Sequence, residues 1–304
     1  MIAKLKSAGR HLLLNPYVAL SLASLFWSGN FIVGRALRDA ATAVTLNFWR
    51  WLIALMILLP VCIPAMRQQR ALILQNWRLI VLLGITGIAA FHVCVYQALR
   101  DTTAINALLF LSLTPVTIVL GSWLLYRDQV ASRQATGIAM SLAGATVVIC
   151  RGDVARLVAL QFNRGDLWML AAMLLWAIYS VALKRKPLHM EQKALLGSSV
   201  TVGVAIMVPV YFAFGQSPVT MLAAGTGTIG GLLYISLFAS VFSYFFWNRG
   251  VVDVGPNKAG VFLHLMPLFG AVLSFIFLGE GLQLYHWAGA VLIFTGIILF
   301  SRAR

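Results

Sequence analysis

Residues 96–148 recur, without a gap, 152 positions further along the chain. Asp101 falls on Asp253, Ala107 on Ala259, Phe110 on Phe262, Leu111 on Leu263, Leu113 on Leu265 and Pro115 on Pro267. The register then holds through Asp128 on Glu280, Gly137 on Gly289 and Gly144 on Gly296. Matches concentrated on Pro, Gly and acidic positions are those chance supplies least often, so the chain is built from two copies of one unit. The earlier parts of the copies agree more weakly at an offset of 149: Ala23 with Ala172, Trp27 with Trp176, Arg35 with Lys184, Pro60 with Pro209.

Each copy is a succession of apolar runs of about 18–23 residues, enough to cross the roughly 30 Å hydrocarbon core of a bilayer. Composition agrees. The 304 residues are 61% hydrophobic and 10% charged, where soluble domains carry about 25% charged residues. Spans are expected near 17–37, 43–64, 77–99, 104–125 and 133–150, then near 166–184, 194–214, 226–248, 257–278 and 284–301. Backbone groups find no partner in lipid and no alternating strand pattern is present, so all ten are helices. The domains follow: a cytoplasmic segment 1–16, a first five-helix repeat 17–150, an extracytoplasmic elbow 151–165 and a second repeat 166–304. The elbow is too short to fold alone. Five crossings is an odd number, so the second copy enters the membrane from the opposite side. The fold class is an all-α polytopic membrane protein of ten transmembrane helices in two inverted-topology repeats, a plan that places a ligand site near the midplane between the halves.

Basic residues orient the bundle. With the N-terminus inside, the cytoplasmic segments hold Lys4, Lys6, Arg10, Arg67, Arg70, Arg78, Arg127, Arg133, Lys184, Arg185, Lys186, Lys193, Arg249, Lys258, Arg302 and Arg304. The other side holds only Arg35, Arg38, Arg100, Arg151, Arg156 and Arg164, three of them in the elbow, partly offset by Asp153 and Asp166. This bias predicts both termini in the cytoplasm. The net charge of +15 suits a rim facing anionic lipid and calls for no nucleic acid. Expected partners are the bilayer and a small-molecule substrate, with the chain working as a monomer or weak dimer. Cys62, Cys94 and Cys150 show no metal or redox spacing and read as small buried side chains.

Polar and ionisable groups at membrane depth need an internal partner or a function. The repeat narrows the candidates for a substrate site. His92 and Tyr96 lie four apart on the third helix, and their mates Tyr244 and Asn248 do the same on the eighth. Trp27 and Trp176 are mates on the first and sixth helices; Ser112 and His264 are mates on the fourth and ninth. Asn30 sits about one turn from Trp27, and Tyr179 likewise beside Trp176. Together these ten residues describe an aromatic-walled cavity with a few donors and acceptors. Trp49, Trp51, Trp77, Trp123, Trp168 and Trp287 lie near span ends and read as an interfacial belt. Arg50 is open to three readings: snorkelling, pairing with Asp101 or Asp39, or touching a substrate carboxylate. Pro115, Pro267 and the four glycines of the repeat read as kink and close-packing devices.

The run GTGTIG at 225–230 matches a dinucleotide fingerprint by letters, but precedes a membrane span with no βαβ unit around it. There is no phosphate-binding GxxxxGK[ST] loop, which excludes ATP-driven pumping. A membrane-embedded enzyme is the rival class, although the intramembrane polar residues form no nucleophile–base–acid set, and a passive pore lacks a ring of like charges. No cofactor or metal is expected. All eight acids fall in loops or at span ends, so a proton-coupled carrier would have to use His92 or His264. The preferred expectation is uncoupled movement by rocking of two halves.

The segments WSGNFIVG (27–34), RWLIALMILLP (50–60), YQAL (96–99) with ALLFLSLTPV (107–116), GIAMSLAGATVV (137–148), LWAIYSVALKRK (175–186) and FLGEGLQLYHWAGAVLIFTGIIL (277–299) resemble the EamA-type branch of the drug/metabolite transporter superfamily. The resemblance spans nearly the whole chain. It implies a ten-helix exporter of small metabolites in a bacterial inner membrane, nearest to exporters of aromatic amino acids. One departure is visible: Arg127-Asp128 stands where the family's Gly-Glu is kept at Gly279-Glu280.

Overall fold

A computed structural model describes residues 15–302 apart from 103, 218, 220–222, 224 and 279–280, and the described residues contain helices and no strand. Residues 1–14 of the expected N-terminal segment, the Gly279-Glu280 pair and Arg304 lie outside them. The first copy holds α1 (Pro16–Ala36), α2 (Ala43–Gln68) and α3 (Trp77–Asp101), followed by α4 in two pieces, Ala104–Ser112 and Thr114–Tyr126, and α5 (Ser132–Ile149). The second holds α6 (Arg164–Ala182), α7 (Gln192–Phe214) and α8 (Thr226–Val254). It ends with α9, running from Pro256–Val261 through Phe262–His264 to Leu265–Leu278, and α10 (Leu284–Arg302).

Among the described residues nine stretches are long and apolar enough to cross a membrane. The tenth crossing is α5, which opens on the polar Ser132-Arg133-Gln134 and returns the chain to the side where α6 begins. Helix starts follow local chemistry. Asn15 caps α1 through its side-chain oxygen (2.9 Å to the Tyr17 N–H) with Pro16 in the first turn. Asn163 and Asp166 form a reciprocal capping box at α6. Asp166, counted with the elbow charges in the sequence, makes none of the described ion pairs. It is buried and receives the Thr102 hydroxyl at 2.7 Å.

The two copies are interleaved. The most extensive contacts pair α5 with α10, α2 with α7, α3 with α6 and α1 with α8, so each pairs an element of one copy with an element of the other. Between α5 and α10 the glycines mesh: a Cβ on Gly137 would lie 2.7 Å from the Gly296 carbonyl, and one on Gly144 would lie 2.7 Å from the Gly289 carbonyl. These backbones touch, and only glycine fits at such a crossing.

Two departures from α geometry recur at matching repeat positions. Helix α4 breaks at Leu113, and α9 tightens into 3₁₀ geometry at Phe262–His264. Pro115 and Pro267 lie just beyond, where each ring removes an N–H and crowds the preceding turn. Side chains take up carbonyls around the α9 break: Ser24 donates to Phe262 O (2.9 Å) and Ser28 to Met266 O (3.0 Å). Helices α3 and α8 each contain a π segment, Gly84–Ala90 and Leu237–Phe242, which the 152-residue offset superimposes.

Candidate functional site

A π turn leaves carbonyls off the regular ladder, available to side chains from neighbouring helices. In α8 the Ala239 carbonyl accepts from Trp27 Nε1 (2.9 Å) and from Arg50 Nη2 (2.8 Å). In α3 its repeat mate, the Gly87 carbonyl, accepts from the Tyr244 hydroxyl. Immediately beyond the two π segments stand His92 and Tyr244 themselves, both buried.

The copies then place one hydrogen bond twice with its chemistry exchanged. In the first, the Tyr96 hydroxyl donates to Asn30 Oδ1 at 2.9 Å. In the second, the Tyr179 hydroxyl donates to Asn248 Oδ1 at 2.7 Å. Position 30 maps on 179 and position 96 on 248, so Asn and Tyr have traded places across the pseudo-twofold axis.

Between these pairs the rings converge. Trp27 meets Trp176 edge-on at 5.0 Å between centroids, Tyr244 at 6.0 Å and Trp247 at 5.4 Å. Trp176 stacks on Tyr179 at 5.1 Å and contacts Phe91 at 4.7 Å. A small void of about 20 Å³, room for one water, is lined by Trp27, Asn30, Phe31, Phe91, His92, Val95, Leu111, Trp176, Leu263 and Met266. Phe31 and Met266 also line a vestibule of about 660 Å³, whose mouth carries Arg151, Gln283 and His286 on the elbow side. The void and the funnel thus share two lining side chains, Phe31 and Met266.

Of the ten residues singled out in the sequence, Trp27, Asn30, His92 and Trp176 line the void, and Tyr96, Tyr179, Tyr244 and Asn248 pack behind them through ring contacts and hydrogen bonds. Ser112 and His264 come together with each other and do not line the void. His264 Nε2 donates to the Ser112 carbonyl at 2.8 Å, and Nδ1 meets Ser141 Oγ at 2.8 Å, so both ring nitrogens tie α9 to α4 and α5.

Three residues of the cluster were not read as site residues, Trp51, Phe91 and Trp247, and a fourth, Arg50, was left open. Arg50 neither snorkels nor pairs with Asp101 or Asp39. It is fully buried, with Nε on Ser240 Oγ (2.5 Å) and Nη1 on Tyr96 Oη (2.7 Å) and Asn30 Oδ1 (3.1 Å). The described ion pairs, Arg38–Asp39, Arg156–Asp153, Lys184–Asp128 and Arg249–Asp253, all lie elsewhere. Trp51 is no belt residue: it is fully buried, edge-on to Tyr244 at 4.7 Å. Trp77, Trp123, Trp168 and Trp287 are exposed, as belt residues should be. The signal for Trp51 was depth, because eight residues past the start of α2 is about 12 Å along a helix. For Trp247 it was spacing, three residues from Tyr244 on one helical face.

Several buried polar atoms here have no partner: Trp51 Nε1, His92 Nδ1, Trp176 Nε1 and Trp247 Nε1. Most buried polar groups in proteins are satisfied, so these exceptions, two of them on side chains that line the void (His92 and Trp176), are a chemical feature of the site.

On the side opposite the vestibule the copies are pinned by charge. Lys184, just past α6, holds Asp128, just past α4, at 2.5 and 2.7 Å, and Ser122 donates to the same carboxylate at 2.5 Å. Burial works against the charge on Asp128, but the hydrogen bonds from Lys184 and Ser122 and the lysine's charge outweigh it and hold the carboxyl below the usual range.

A bundle of ten membrane crossings, doubled on itself, with an aromatic void beside a wider funnel, is the architecture of a membrane transporter. The chain belongs to the EamA-like transporter family, whose model matches residues 14–150 and 163–302. It is 25% identical over 288 residues to the uncharacterized transporter YyaM of Bacillus subtilis, covering 95% of this chain and 94% of that one. It is 24% identical over 285 residues to a protein of Streptantibioticus cattleyicolor named "probable terminal-alkyne amino-acid exporter", covering 93% and 92%. Protein PecM of Dickeya dadantii is 27% identical over 237 residues, covering 75% and 76%. A crystal structure at 19% identity superimposes with a TM-score of 0.74 over 93% of this chain and 95% of its own, a likeness of fold.

Proposed function

We propose that this chain is a secondary transporter that exports small metabolites, amino acids including aromatic ones among them, by alternating access through the aromatic cavity and without coupling to protons. The observation that carries this reading is the aromatic void lined by Trp27, Asn30, His92 and Trp176, which shares Phe31 and Met266 with the wider vestibule. Its walls suit a flat apolar body, and its polar groups suit a small head group. The name of the Streptantibioticus relative supports an amino-acid substrate. In this reading the chain performs no catalysis, both termini face the cytoplasm, and the vestibule opens outward from the bacterial inner membrane.

The alternative is proton-coupled antiport. Of the two histidines once in play, His264 has both nitrogens committed, so the proton would ride on His92, whose Nδ1 has no partner. Proteoliposomes containing only this protein separate the two readings. With phenylalanine, an uncoupled carrier lets a proton gradient change the initial rate while the final distribution stays level. Gradient-driven accumulation that is lost in His92→Ala, with exchange retained, overturns the uncoupled reading.

A further inference from the structure

The pseudo-symmetry of the site is broken at one charge. Arg50 maps on Ser199, whose hydroxyl is spent on its own helix at Leu195 O (2.8 Å). Arg50 therefore has no counterpart, and among the described residues no carboxylate pairs with it. Its four hydrogen-bond partners, Ser240, Asn30, Tyr96 and the Ala239 carbonyl, are all neutral. A guanidinium has five N–H donors and is always charged, so these dipoles, with the Trp51 and Tyr96 rings at 5.6 and 6.0 Å, leave one donor unmet and no formal counter-charge at membrane depth. Such a group is costly, and an intramembrane cation without a fixed anion points to a mobile one.

The surroundings define what that anion is attached to. Asn30, which lines the void, shares Arg50 Nη1 with Tyr96, so a head group entering beside Asn30 exchanges neutral partners for charge-assisted ones. Charge-assisted bonds are about twice as strong as neutral ones, and the planar fork matches a carboxylate in two-point geometry. The unpartnered Nε1 of Trp176 and Nδ1 of His92 belong to side chains that line the same void. The ring faces of Trp27 and Phe91 supply the wall for a flat apolar body.

We infer that Arg50 is the anchor for a substrate carboxylate, and that the site takes small monocarboxylates with an apolar tail. This rests on the transport reading above and specifies its substrate class. The amino group of an amino acid is dispensable in this arrangement, because no described acid stands at the void to receive it.

The test uses matched triplets in proteoliposomes of the full chain: phenylalanine, 3-phenylpropionate and phenethylamine, then leucine, 4-methylpentanoate and isoamylamine. Wild-type protein should move or bind the first two of each set and reject the amine. Arg50→Lys keeps the charge and loses the fork, and should raise the half-saturating concentration about 10-fold. Arg50→Gln should raise it by about 100-fold, the worth of one to two charged hydrogen bonds. Size-exclusion elution of each variant checks folding, and the triplet comparison stands on wild type alone if a variant is lost. If the amines move as well as the acids, or if folded Arg50→Gln binds phenylalanine normally, the carrier stands and the anchor falls. If none of the six compounds moves or stabilises the protein against heat, both fall.

Discussion

Replacing Gly144 with Ala should loosen the bundle at one identifiable contact. The new Cβ would sit 2.7 Å from the Gly289 carbonyl and 2.8 Å from Leu292 Cβ, where ordinary contact begins near 3.4 Å. The obstacle is the backbone of α10, which cannot rotate away as a side chain would, so α5 must withdraw by about 0.7 Å at that turn. A gap of that size forfeits roughly a quarter to a half of the local dispersion energy along the crossing. Overpacked substitutions cost about 1–3 kcal/mol, and a rigid obstacle puts this one at about 2–3. The control is Gly230→Ala in α8. There nothing lies within 4 Å of the added atom, and the exchange should be neutral or stabilising by up to about 1 kcal/mol from helix propensity. Heating detergent-purified protein and following the folded fraction by size exclusion gives the order: Gly230→Ala at or above wild type, Gly144→Ala several degrees below. Adding Gly289→Ala to Gly144→Ala should cost less than its own single effect, because the same helices are already apart. Equal midpoints for Gly144→Ala and Gly230→Ala would refute the backbone-contact account.

Trp176→Phe keeps most of the buried ring volume and removes an N–H that has no protein partner, so folding yield should hold while transport of aromatic substrates falls several-fold; unchanged transport returns Trp176 to simple packing. Asp128→Asn should remove about 0.2–1 kcal/mol, the range for a partly exposed ion pair. Because the native carboxyl is held below its ordinary range, that difference should persist from neutral pH down through about pH 4 and vanish only once native Asp128 is protonated; a difference unchanged near pH 2 contradicts it. Reporter fusions after Arg10 and after Arg304 should both read cytoplasmic, and a periplasmic signal at either end sinks the orientation drawn from the basic residues.

Legibility in the sequence followed the kind of force involved. Crossings were readable because solvent dictates them: α2 was expected at 43–64 and is Ala43–Gln68, running on through Pro60 and Pro64. The α4 and α9 breaks were readable because proline acts locally. The glycine contacts were readable as repeat mates, since a residue without a side chain has few reasons to recur. The π segments were not. GITGIAA at 84–90 has the same apolar texture as any span, and what distinguishes it is tertiary: a Cβ on Gly84 would meet Gly203 N and Ser199 O at 3.0 Å on α7. Eight of ten candidate residues fall in one cluster, four of them on the void, while the mates Ser112 and His264 stand apart from it. Arg50 escaped because its partners, a π carbonyl, a serine within the π turn and two residues on other helices, are neutral. Charge matching along the chain cannot find a cation held by dipoles.

The glycine mesh between α5 and α10 limits how this protein can change shape. It bolts the last helix of one copy to the last helix of the other through touching backbones, and the α1–α8, α2–α7 and α3–α6 pairings cross the same boundary. Moving the two sequence repeats apart as rigid bodies would shear every major seam at once. A carrier that alternated with these seams intact would move in pieces cut across the repeats, with α5 and α10 carried as one strut. In such a motion the interrupted helices α4 and α9 would be the natural joints, since each already departs from regular α geometry at its break.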